Sequence, residues 1–247
     1  MVLRLLWKLL DRPKSVARLQ VEVRVTKKGI SLSQDAEKLS IRAGKLFRNG
    51  DLARAEEYII EWNVEERSHP FTPSFSYRLL GFTRWLKGDV QGAVDIWQEA
   101  RENCQYQPYT LLEMMLYSAA VIVPGSFDLQ VARAILNKKL GTKPMPGGAA
   151  LPARYLLGSE TEAALFNHAN GCRHAHVRDS ESVEAFFYIG VHALEKGNVS
   201  RFYDSLRLST EIKLPDIVRV STSTIGIQRI AAYELELQRH EEPRVGK

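Results

Sequence analysis

The chain has 247 residues, of which 45% are hydrophobic and 26% charged, enough apolar material to bury a sizeable core. No apolar run approaches the length of a membrane span. The net charge of +5 sits at one end: residues 1–30 carry eight Lys and Arg against two acidic residues, so the rest is nearly neutral and no nucleic-acid-binding body is expected.

Residues 1–34 read as a basic leader. Leu3, Leu6, Trp7 and Leu10 alternate with Arg4, Lys8 and Arg12, the pattern of a short amphipathic helix. That face could touch an anionic membrane surface, but it is expected to cap the first repeat, because the end of a helical array must be covered. Its Arg-rich, acid-poor character also suits an organelle transit peptide. A secretory signal is not expected, since Asp11-Arg12-Pro13-Lys14 replaces a small-residue cleavage site. Next, Leu19, Val21, Val23 and Val25 alternate with polar residues, and Lys28-Gly29 could turn the strand back onto Ile30 and Leu32. A lone hairpin is barely stable, so this one should lie on helices or pair with a second copy as a homodimer. Two cysteines, Cys104 and Cys172, make no disulfide framework and point to the cytoplasm.

From residue 35 to 241 the chain repeats itself. Gly50-Asp51-Leu52 with Ala55, Gly88-Asp89-Val90 with Ala93, and Gly197-Asn198-Val199 with Phe202 share one pattern, and Phe127-Asp128-Leu129 with Ala132 is a variant. Seven residues before each corner stand Ala43, Gly81, Ala120 and Gly190, small enough for two helices to approach closely. One turn earlier come Leu39, Tyr77, Leu116 and Phe186. Four residues beyond the Ala55 slot and its counterparts lie Ile59, Trp97, Leu136 and Leu206, an apolar stripe on a second helix. Each unit therefore predicts helix, tight turn, helix.

Pro144, Pro146, Gly147, Gly148 and Pro152 rule out a long helix at about 141–152. Gly158-Ser159-Glu160 with Ala163 follows as an eroded unit whose first helix spans about 151–157. Residues 223–241 predict a closing helix with Ile225, Ile230, Tyr233, Leu235 and Leu237 among its apolar positions, and 242–247 a disordered tail.

Tyr77, Leu80, Gly81, Gly88, Ala93, Trp97 and Ala100, then Phe186, Ile189, Gly190 and Gly197, resemble the tetratricopeptide repeat family. The resemblance covers roughly 35–140 and 183–212. Arg84 departs from it where an aromatic is usual, and Phe202 where a small residue is. The fold expected is all-α: a TPR-like α-solenoid of about five helix-turn-helix units with a C-terminal capping helix. The resemblance implies that first helices line a concave groove. That places Phe47 and Arg48, then Phe75, Arg78, Phe82, Trp85 and Leu86, then Met114 and Tyr117, and finally Phe187, Val191 and Leu194 on its wall. Aromatics beside arginine are the makings of a hot spot for another protein or peptide, although the same residues could simply pack against the next repeat.

Chemistry is less well represented. His168, Cys172, His174 and His176 fall within nine positions, but their spacing matches none of the common zinc patterns, and no metal or cofactor is expected. No nucleophile, phosphate-loop or zinc-protease motif occurs. The expectation is an interaction protein rather than an enzyme: an adaptor, assembly factor, chaperone or toxin-neutralising immunity protein.

Overall fold

The structure is a computed structural model and describes residues 34–67, 75–103, 110–142, 150–214 and 222–241. The expected leader helix and hairpin, residues 143–149 of the Pro/Gly segment and the tail lie outside the described residues. Within them every regular element is an α-helix. These are α1 (Gln34–Asn49), α2 (Leu52–Arg67), α3 (Phe75–Leu86), α4 (Val90–Asn103), α5 (Leu111–Ile122), α6 (Leu129–Thr142), α7 (Leu151–Leu156), α8 (Glu162–Gly171), α9 (Ala175–Glu195), α10 (Val199–Glu211) and α11 (Thr222–Glu241). None of the described helices is long and apolar enough to cross a membrane.

The corners explain why the helices stop and start where they do. Gly50, Gly88, Gly158 and Gly197 each adopt positive φ, the left-handed conformation that lets a backbone leave a helix at little steric expense. At the first corner Gly50 N–H donates to the Phe47 carbonyl and Asp51 N–H to the Leu46 carbonyl, which satisfies carbonyls orphaned by the helix end. The next residue then caps the following helix. Asp51, Asp89 and Asp128 accept from the N–H groups of Arg54, Gly92 and Val131 at 3.3, 2.8 and 2.8 Å. Asn198 and Thr161 do the same for Arg201 and Ala164. One short motif thus ends one helix and begins another. In the variant unit the positive φ belongs to Gly125, two residues before the Phe127 that the repeat alignment placed at that corner.

The slots flanking the corners are filled as their sizes require. Ala43, Ala55, Ile59, Ala93, Trp97, Ala132, Leu136, Phe202 and Leu206 are buried. A Cβ at Gly81 would lie 2.0 Å from Trp97 Nε1, so glycine there is the condition for α3 and α4 to close on each other. The helices pack in chain order, each against the next. They share a core that runs from Ala43 to Ala231, with a smaller cluster at Tyr155, Leu165, Ala185 and Ile189.

Other packing relations skip along the chain: α9 packs on α7 and α5 as well as on its neighbours. The closing helix α11 packs on α10, as a cap would, and also on α9 and α3. It thereby joins α9 and α10 to α3.

Candidate functional site

The part of the expected groove wall that lies on α1 and α3 is where α11 folds. Gly226 lies over Phe82 so closely that a Cβ would come within 2.5 Å of the ring. Trp85 Nε1 donates to Glu234 Oε1 at 2.8 Å. Arg229 donates to the Phe47 carbonyl, with its guanidinium carbon 5.3 Å from the Phe47 ring centroid. Burial there lowers its pKa, because removal from water disfavours the charged form. At the start of the helix Arg78 donates to Ser223 Oγ at 3.4 Å and Thr224 Oγ1 donates to Glu184 at 2.7 Å. On its far side Gln228 donates to the Ser209 and Ile212 carbonyls.

This arrangement sorts the nine candidate residues. Phe47, Phe82, Trp85, Met114, Tyr117 and Phe187 are buried and form the core of the folded chain instead of an open wall. Phe47, Phe82 and Trp85 meet α11. Tyr117 donates to the Leu156 carbonyl at 3.1 Å and to Glu195 at 2.8 Å, and Phe187 packs edge-on to Tyr188. The physical reason is that an apolar helix face leaves water wherever another part of the chain can reach it. Arg48 and Arg78 are half-buried, and only Phe75 is well exposed, at 51%.

Phe75 is not isolated. The Arg78 guanidinium carbon stands 4.3 Å from its ring centroid, a cation–π geometry. Asn63 Nδ2 donates to Ser76 Oγ at 2.9 Å, both residues buried, which fixes the end of α2 against the start of α3. Beside Asn63 is Val64, 55% exposed, and one turn back on α2 is Ile60, 45% exposed. Exposed apolar side chains thus stand on both helices of the α2–α3 pair: Ile60 and Val64 on α2, and Phe75 with its stacked arginine on α3. Sequence reasoning passed over Ile60 and Val64. The available signal was an apolar pair four residues apart, offset from the stripe that Ala55 and Ile59 bury.

His174 and His176 stack with centroids 5.6 Å apart, and His168 Nε2 lies 3.9 Å from Glu181. Among the described residues no group of three or more His, Cys, Asp or Glu is placed to hold a metal ion. No protein-family model, curated protein or solved structure matches the chain.

Proposed function

We propose that the chain is a tetratricopeptide-like helical scaffold that binds another protein or peptide through the exposed apolar residues of the α2–α3 pair, not through its concave face. The observation that carries this reading is Phe75, half exposed under the Arg78 guanidinium, when the other aromatic residues expected on the wall are covered. A soluble fold that keeps Phe75, Val64 and Ile60 in water retains an apolar anchor beside an arginine, the composition of interface hot spots. The stacked helix pairs supply a rigid frame, so little ordering entropy opposes binding. The partner this patch fits presents an apolar face, such as one side of an amphipathic helix. Adaptor, assembly, chaperone and immunity roles in the cytoplasm all use such a surface.

The test compares affinity capture by the wild-type chain with capture by Phe75→Ser/Val64→Ser, read by quantitative mass spectrometry. Both positions are exposed, so the melting temperature should hold within a few degrees. A specific partner should be lost, because removing a central aromatic anchor costs about 2 kcal/mol of binding, roughly thirtyfold in affinity. An identical set of captured proteins from a folded double variant would overturn the proposal.

A further inference from the structure

A cavity of about 400 Å³ opens at the α9–α10 corner, with no residue of α2, α3 or α11 in its lining. Ile189 and Ala193 of α9 form its apolar floor. One wall is aromatic: the Tyr155 ring of α7 and the His192 ring of α9 lie 5.0 Å apart. At the rim stand Lys196 and Arg201 with Glu162. The Glu162 charge is already answered, since Arg201 donates to both its oxygens at 2.6 and 2.5 Å and Tyr155 OH donates to Oε1 at 3.1 Å. Lys196 is exposed and, among the described residues, enters no ion pair.

The second carboxylate nearby is also committed. Glu195 is buried behind His192, pairs with Arg133 of α6 and accepts from Tyr117 OH of α5 at 2.8 Å. His192 Nδ1 has no hydrogen-bond partner and stands 3.5 Å from the same carboxylate. With Glu162 and Glu195 both matched by arginines, Lys196 supplies an unbalanced positive charge at the mouth of an apolar, aromatic-walled recess.

We infer that this cavity binds a small organic anion with a planar apolar body, an aryl carboxylate or aryl phosphate. The ring would lie on Ile189 and Ala193 against Tyr155 and His192, with the anionic head at Lys196 and Arg201. The volume is that of a small-molecule site, and an apolar pocket with a few converging polar groups is its usual construction. The electrostatic surroundings of His192 agree. Its pKa is lowered by burial first, then by Lys196, Arg133 and Arg201, against an opposing contribution from Glu162. A bound anion offsets that positive field, so it raises the His192 pKa and is itself held more tightly once the imidazole is protonated.

Three probes and one variant test this by NMR of the His192 imidazole. Phenyl phosphate carries both features, inorganic phosphate only the anion, and benzylamine the ring with the opposite charge. Phenyl phosphate should shift the His192 signals, raise its pKa and bind more tightly as pH falls through it. Inorganic phosphate should bind at least about tenfold more weakly, having no apolar body to bury. Lys196→Gln, at an exposed position, should weaken phenyl phosphate by about tenfold or more through loss of a charge-assisted contact. The inference fails if phenyl phosphate at millimolar concentration leaves His192 unmoved, if benzylamine acts equally, or if Lys196→Gln binds as well as the wild type. Equal binding of inorganic and phenyl phosphate would overturn the aryl assignment.

Discussion

Two helical glycines, Gly81 and Gly44, should respond in opposite directions to the same added methyl group. Trp97 is buried between Phe82 and Trp85, each 5.9 Å away centroid to centroid, so its indole cannot retreat from a Cβ at Gly81. Gly81→Ala is expected to lower the unfolding free energy by about 1–3 kcal/mol, the usual penalty for overpacking. At Gly44 a Cβ meets nothing within 4 Å among the described residues. Gly44→Ala should raise stability by about 0.4–1 kcal/mol by restricting the unfolded chain. Urea unfolding of both variants reads the difference, and equal effects would contradict the α3–α4 packing. Gly81 and Gly190 were legible in the sequence, because a small residue recurs seven positions before the Gly50, Gly88, Phe127 and Gly197 corners. Gly226 was not, because the ring that excludes its Cβ belongs to Phe82, far away along the chain.

At the scale of elements the question is what holds α11 across α3. Ile227, Ile230 and Ala231 are buried and supply the apolar contribution, while the bond from Trp85 Nε1 to Glu234 fixes the register. Glu234→Leu removes the acceptor and leaves a buried N–H unsatisfied, which should cost about 1–3 kcal/mol. Glu234→Gln keeps an acceptor oxygen and should cost less than about 1 kcal/mol. Hydrogen exchange followed by mass spectrometry should show faster exchange in α11 and α3 for the leucine variant than for the glutamine variant. Equal exchange in the two would mean that this bond does not secure the helix. The existence of a closing helix was readable from its apolar positions after Pro215, and its span of 223–241 agrees with Thr222–Glu241. Its second partner was not readable, since amphipathic spacing says that a face is buried and not what buries it.

For the whole molecule, pH is the sensitive variable. Glu184 faces α11, and burial, together with Glu181, raises its pKa to about 7 against the lowering effect of the Thr224 hydrogen bond and Arg78. Burial raises Glu113 and Glu181 in the same direction. A raised carboxylate pKa means that the folded state holds the proton more tightly than the unfolded one. Its stabilisation is complete below the ordinary value of 4.5 and is lost as pH rises to about 7. His192 works oppositely: its lowered pKa adds stability as pH rises toward the ordinary 6.5. Glu184→Gln isolates one contribution. It should match the wild type at about pH 4 and exceed it in denaturation midpoint at about pH 8, where the wild type must hold a charged carboxylate in this half-buried place. A constant difference across that range would show that Glu184 does not titrate in the folded chain.

The amino-acid order alone determined the helices, their glycine corners and Asp or Asn caps, and their pairing with neighbours. Those features depend on contacts within a few turns of chain, which periodicity records directly. Only the tertiary structure decided what covers Phe82 and Trp85. That they meet the chain's own α11 depends on how the intervening helices set this last helix against α3. That placement sums many small packing angles that no local pattern encodes. The same summation left Phe75, Val64 and Ile60 facing water and brought Tyr155, His192, Lys196 and Arg201 around one cavity.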